Sequence, residues 1–325
     1  MKLLKLVPDN TNIHFLKWQW PFFISNILAM IGAVVLLFTH GLNLGVDFVG
    51  GQMIRATFVE STVAPVADLR ESVGKLGYGE PIIQQFGKPN EVSIRMKLPE
   101  GAEDHAELAD AMANKITGTL KQTYPGVRID GVDSVSGKVS GELFKTGMLA
   151  LLLAMVGISI YIWVRFEWQF GVGALFALVQ DLLLTIGMFS LTQMEFDLNI
   201  VAALLTLLGY SLNDKIVVYD RIRENLKKYR KMPMPELLDL SVNETLSRTV
   251  ATSLAVLIML FSLLLLGPDV IFGFTAAITL GIFVGTYSSI FMSAPILIWL
   301  GVTQSSFVPA DSGSDSPKKA AIDEA

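Results

Sequence analysis

Asp214 interrupts an oily stretch: Ile200 to Gly209 ahead of it are nearly all apolar, on a helix that would otherwise simply cross a bilayer. Asp181 and Arg248 stand in two neighbouring apolar stretches. A charge inside a membrane costs ~2.5–3.5 kcal/mol on insertion scales, and such groups persist chiefly where ions or protons move. Desolvation favours a neutral carboxyl, whereas a guanidinium, which keeps its proton in proteins, favours the carboxylate. An arginine that approaches and leaves Asp214 would therefore make it release and take up a proton. Asp214 precedes Arg221 by about two helical turns and Arg248 follows Val242 by about two, so at ~1.5 Å per residue both are expected roughly 10 Å inside the cytoplasmic face, close enough to pair. Asn213 and Ser211 are expected to hydrogen-bond Asp214 in either state. Asp181 is a further proton-path candidate, or else shares a polar helix contact with Gln180. A static ion pair fastening two helices is the alternative for Asp214 and Arg248. Lys215 points ~100° around the helix from Asp214 and is expected to snorkel to the cytoplasmic interface.

These residues need membrane helices to hold them. The chain is 52% hydrophobic and only 17% charged, with a mean hydropathy of +0.52. Apolar stretches of about 18 residues or more fall at Pro21–Phe38, Thr146–Val164, Trp168–Leu191, Leu198–Val218, Val242–Leu266 and Val270–Leu300. The last is too long for one straight crossing, so tilt or a bend near Gly281, Gly285 or Pro295 is expected. Gly281 and Gly285 form a small-xxx-small pair suited to close helix packing. The first stretch follows Lys2, Lys5 and Lys17 but lacks a convincing cleavage site, and reads as a retained anchor. Those lysines, Arg165, and the run from Arg221 to Lys231 all fall in loops on one side, whereas Thr192–Asp197 and Gly267–Asp269 carry no Lys or Arg. Positive charge therefore places both termini in the cytoplasm. The expected organisation is a cytoplasmic segment (1–20), a first membrane helix (21–40), an outer domain (41–143), five further membrane helices (144–302) and a disordered cytoplasmic tail (303–325).

The insert of about 100 residues has the size of an independent domain. Its expected order is strand (Gln52–Val59), helix (Ala64–Leu76), strand (Pro81–Phe86), strand (Glu91–Lys97), helix (Asp104–Tyr124) and strand (Val127–Val135). Val92, Ile94 and Met96 alternate with polar neighbours as in a strand covered on one face. A β-α-β-β-α-β order is ferredoxin-like. The fold class is thus a six-span all-α membrane bundle, half of a twelve-span transporter, carrying a small α+β outer domain. Gly45-Val46-Asp47-Phe48-Val49-Gly50-Gly51 enters that domain, with Asp47 expected to cap backbone groups around a tight turn that needs Gly50 and Gly51. No Lys-Ser/Thr follows Gly51, so a phosphate loop is disfavoured, and no nucleotide site appears elsewhere. The chain has no cysteine and three scattered histidines, and no metal or cofactor is expected. A net charge of −5 argues against nucleic acid as a partner.

The motif at Gly45–Gly51, the run from Gly209 through Asp214 to Asn225, and Glu244-Thr245-Leu246-Ser247-Arg248-Thr249 together resemble the SecF family of bacterial Sec protein-export subunits, within the resistance-nodulation-division superfamily. The likeness covers nearly the whole chain. It implies pairing with a SecD subunit, association with the SecYEG channel, contact with translocating secretory proteins, an inner-membrane location, and use of the proton motive force in late steps of export, without enzymatic activity. It also implies that Asp214 and Arg248 conduct protons. Lys215 departs from the small hydroxyl residue usual after that aspartate. Three alternatives stand beside this one. Half of a small-molecule exporter would usually carry a larger outer domain; an aspartyl protease built on Asp181 and Asp214 would be spoiled by an adjacent arginine; a passive scaffold would tolerate neutral substitutions.

Overall fold

The computed structural model describes residues 8, 11–85, 88–98, 106–135 and 137–302. The expected disorder of 303–325, and residues 1–7, 9 and 10 of the N-terminal segment, lie outside the described residues. Among the described residues, six helices are long and apolar enough to cross a membrane: Phe15–Thr39, Val139–Arg165, Trp168–Thr192, Leu198–Lys228, Met234–Leu266 and Phe272–Trp299. We name their helical cores α1 (Gln19–Thr39), α5 (Gly137–Arg165), α6 (Trp168–Thr192), α7 (Leu198–Lys228) and α8 (Met234–Leu266), with the sixth crossing made of α9 (Phe272–Ser288), a π-helical segment (Ser289–Ser293) and α10 (Ala294–Trp299). The sixth crossing starts later than its apolar stretch, after a 3-10 turn at Asp269–Ile271, and its π segment ends just before Pro295.

Between α1 and α5 come α2 (Val46–Val49), β1 (Gly51–Phe58), α3 (Val66–Gly74), β2 (Ile82–Gln85), β3 (Glu91–Met96), α4 (Ala106–Thr123) and β4 (Val127–Val135). The strands form one antiparallel sheet in the order β2-β3-β1-β4, the arrangement expected of a ferredoxin-like unit. Ile54, Ala56, Val92 and Ile94 share a core with Leu69 and Val73 of α3 and Met112, Ile116 and Leu120 of α4. The amphipathic spacing along α4 is what turns those side chains to the sheet. In one respect the sheet departs from expectation: Ser93 is buried as well as Val92 and Ile94. The second face of β3 is not open to solvent, because it lies over the α6–α7 turn across a cleft lined by Arg55, Gln84, Ser93, Glu195 and Asp197.

In the membrane bundle, α6, α7 and the sixth crossing form the centre. About half or more of their most apolar stretches is buried (56%, 50% and 61%), against 11%, 17% and 22% for the first, second and fifth crossings. Two apolar cores stack along the central helices. One gathers Leu178, Leu182, Leu204, Leu208 and Ile282; the other gathers Phe170, Ala174, Val218, Ile222 and Leu297. Between them lies a group of buried polar side chains, Asp181, Ser211, Asp214, Lys215 and Ser288.

Candidate functional site

The polar layer is built by three helices. On α7, Ser211 and Lys215 are four residues apart and therefore face the same way, toward Asp181 on α6 and Ser288 on α9. Lys215 Nζ donates to Asp181 Oδ2 at 2.7 Å, to Ser288 Oγ at 3.1 Å and to Ser211 Oγ. The hydroxyl of Ser211 in turn donates to Asp181 Oδ2. An ammonium has three donors, and here each has an acceptor. The side chains of Lys215 and Asp181 are 0% and 1% exposed, which makes this a fully buried ion pair. It can close because Gly285 lacks a Cβ, which would stand 3.1 Å from Ser211 Oγ and 3.7 Å from Asp181 Oδ2. One turn before, Gly281 admits Leu207 in the same way. The small-xxx-small pair thus seats α9 on α7.

Asp214 faces α8. It is 2% exposed, and its Oδ2 is buried without a hydrogen-bond partner. Ser253 on α8 offers it a hydroxyl, and the cations nearest it are Lys215, its neighbour on α7, and Arg248 on α8. Ser253 itself is tied to Thr286 on α9 at 2.8 Å and lies 3.5 Å from the Tyr210 hydroxyl.

Three expectations are corrected here. Lys215 does not snorkel to the interface; it is turned inward because a buried carboxylate and two hydroxyls satisfy its ammonium where lipid would not. Arg248 is exposed, and no ion pair among the described residues joins it to Asp214. The expected pairing rested on depth alone, and depth does not fix which way a side chain faces: Asp214 is turned inward and Arg248 lies on the exposed flank of α8. Arg221 instead bonds Glu244 of α8 at 2.7 Å, tying the extended ends of α7 and α8 together, and Glu224 on α7 itself at 2.7 Å. Neither Ser211 nor Asn213 hydrogen-bonds Asp214: Ser211 serves Asp181 and Lys215, and Asn213 is exposed. Asp181 belongs to the buried pair, while Gln180 beside it donates to Asn26 of α1 at 2.6 Å. Sequence reasoning missed Ser288 and Ser253 and misplaced Lys215. The i, i+4 relation of Ser211 and Lys215 was the available signal.

The outer end of α7 is fixed by the glycine-rich loop. Asp197 caps the helix by accepting from the Ile200 N–H at 3.1 Å, and Asp47 accepts from the Leu198 N–H at 3.0 Å. Asp47 is thus a cap, but of a helix remote in sequence. Gly45 N–H donates to Phe196 O at 2.9 Å and Phe196 N–H to Asn43 O at 2.8 Å. Arg95 on β3 donates to Leu44 O at 2.7 Å and to Glu195 at 3.1 Å, so the sheet grips both loops. Gly51 has φ +118°, and a Cβ there would collide with the Met96 carbonyl. Gly50, at φ +75°, packs against Gly137. Burial pushes the Glu195 carboxyl up from its ordinary range, with Arg95 pulling it back, and burial likewise raises Asp197 against its bond from Ile200. Among the described residues no group of three or more His, Cys, Asp or Glu is arranged to hold a metal.

Residues 115–303 match the family model described as "Protein export membrane protein SecD/SecF, C-terminal", and residues 35–61 match "SecD/SecF GG Motif". The chain is 46% identical over 309 residues to the protein translocase subunit SecF of Rhodobacter capsulatus, covering 92% of each. It is also 46% identical over 305 residues to that of Cereibacter sphaeroides, covering 92% of this chain and 93% of the relative. A crystal structure of SecDF, a translocon-associated membrane protein from Thermus thermophilus, superposes with a TM-score of 0.78 at 32% identity over 90% of this chain. SecDF in a super-membrane-facing form superposes with a TM-score of 0.65 at 33% identity. The chain spans 39% of the length of either SecDF chain.

Proposed function

The chain belongs to the SecF family, and we propose that this multi-pass membrane protein is an accessory subunit of the Sec translocase that couples the proton motive force to late steps of protein export. One observation carries the proposal: two buried carboxylates and a lysine share a polar layer between two apolar cores of a membrane bundle. Such groups are costly in a membrane and mark proton or ion paths. Asp181 and Asp214 each have a buried oxygen without a partner, but Asp181 is ion-paired to Lys215 while no ion pair among the described residues holds Asp214, which is the group that takes up and releases the proton. Asp181 and Ser211 continue the path across α6 and α7, and Asn213 lies on the exposed flank of α7 toward a partner.

The work is done with SecD at the SecYEG channel on a translocating secretory protein, in the bacterial inner membrane, with both termini cytoplasmic and the domain at 41–143 periplasmic. The ion path of such transporters lies between two repeats, and the sparsely buried α5 and α8 are where SecD would pack. That contact would carry Arg248 from an exposed flank into an interface beside Asp214. Its approach would favour the carboxylate and its withdrawal the acid. Movement of α7 would reach the outer domain through Asp47, Asp197 and the Arg95–Glu195 pair.

The test is export of a secretory protein in cells whose own SecF is replaced by this chain. Asp214→Asn is expected to reduce the export that disappears when the proton gradient is collapsed, while leaving ATP-driven initiation intact. Unchanged gradient-dependent export in that variant would refute the proposal.

A further inference from the structure

Lys215 belongs to the polar layer that carries the proposed function but has no step of its own in it, and it is the most completely enclosed charge among the described residues' ion pairs, with both partners' side chains at 1% exposure or less. We propose that Lys215 is the resident counter-cation of both carboxylates: it rests on Asp181 while Asp214 holds a proton, and shifts toward Asp214 when that proton leaves. The proposal rests on the proton-coupled function and adds to it the element that reads the proton.

Several observations converge. Lys215 adjoins Asp214 in sequence, and both side chains are buried in the same polar layer, whereas Arg248 is exposed. Asp214 Oδ2 is buried with no hydrogen-bond partner, an acceptor ready for a donor. A lysine carries a compact charge on a flexible stem, suited to moving between two acceptors where an arginine's rigid fork is not. The charged and titratable groups around it are Asp181 from α6, Asp214 on α7 itself, and Arg248 of α8 acting through Asp214; α9 contributes only the Ser288 hydroxyl.

The move has a structural consequence. Lys215 donates to Ser288, immediately before the π segment, and Tyr219, one turn further along α7, donates to Ser293 O at its end at 3.3 Å. Helix α7 therefore holds both ends of the π segment, and π segments inside helices frequently mark functional sites. Withdrawal of Lys215 from Ser288 frees one end only. Loss of a proton from Asp214 would thus be converted into a change where α9 meets α10.

The experiment uses the full chain with its SecD partner in inverted membrane vesicles, reading gradient-dependent export of a secretory protein against pH. Lys215→Met alone leaves Asp181 unpaired and is expected to reduce the amount of folded protein. The double variant Lys215→Met/Asp181→Asn removes both charges and is expected to restore that amount without restoring gradient-dependent export, which separates the loss of export from the loss of folded protein. Lys215→Arg is expected to retain export but to move its pH midpoint by a unit or more. Wild-type gradient-dependent export from the double variant, or an unshifted midpoint in Lys215→Arg, would overturn the proposal and reduce Lys215 to a fastener. Absence of any gradient-dependent component in the wild type would instead refute the underlying function, and this inference with it.

Discussion

Lys215 and Asp181 face each other at 2.7 Å from adjacent helices, sealed from solvent. Removing one member of a buried pair leaves an uncompensated charge, which typically costs about 3–5 kcal/mol, whereas removing both with residues of similar volume is often nearly neutral. Asp181→Asn should therefore unfold at markedly lower temperature than wild type in detergent. Adding Lys215→Met should recover most of the loss.

The approach of α9 to α7 depends on Gly285, whose absent Cβ leaves room for Ser211 and Asp181. Those neighbours are held by the ion pair and cannot readily yield, so Gly285→Ala is expected to destabilise by about 1–3 kcal/mol, as overpacking commonly does. Gly209, on the same helix as Ser211, has open space around its Cβ position and is exposed. Thermal unfolding of Gly209→Ala should match wild type or exceed it slightly, since alanine favours a helix.

At the outer junction, Glu195 and Asp197 are raised by burial. The folded chain then binds their protons more tightly than the unfolded chain does. Their contribution to stability is fully present below the ordinary carboxylate range of about 4 and is lost as pH rises through the raised values. Glu195→Gln, which cannot ionise, should flatten this part of the profile. Melting temperatures at acid and neutral pH should differ less in the variant than in wild type, and an identical pH dependence would contradict the assignment.

Asp47 supplies a cap to the first N–H of α7 from another part of the chain. Loss of a capping carboxylate costs about 0.5–2 kcal/mol, so Asp47→Ala should loosen the outer end of α7, seen as faster amide exchange at Leu198. Gly51→Ala should be worse than Asp47→Ala, because its backbone is left-handed and its Cβ meets a carbonyl rather than a movable side chain.

Much of the architecture was legible in the chain because its signals are local. Long apolar blocks mark the crossings, and the alternation of Val92, Ile94 and Met96 marks β3. The site was legible only in part. Asp214 and Asp181 stand out because a carboxylate in an oily stretch needs a reason. Which cation meets which carboxylate depends on how α6, α7 and α9 pack, and nothing local says that Gly285 makes room for Lys215 to turn inward. Arg248 was expected to pair with Asp214 because the two were counted to similar depths from Arg221 and Val242, and depth does not say which way each side chain faces; Arg248 faces outward on α8.

The most direct measurement is proton uptake by liposomes holding the chain with SecD and the channel while a secretory protein crosses, comparing wild type with Asp214→Asn. Export-linked proton movement in the wild type that falls at least tenfold in the variant is the expected result. Equal proton movement in the two would contradict a proton path through the buried carboxylates.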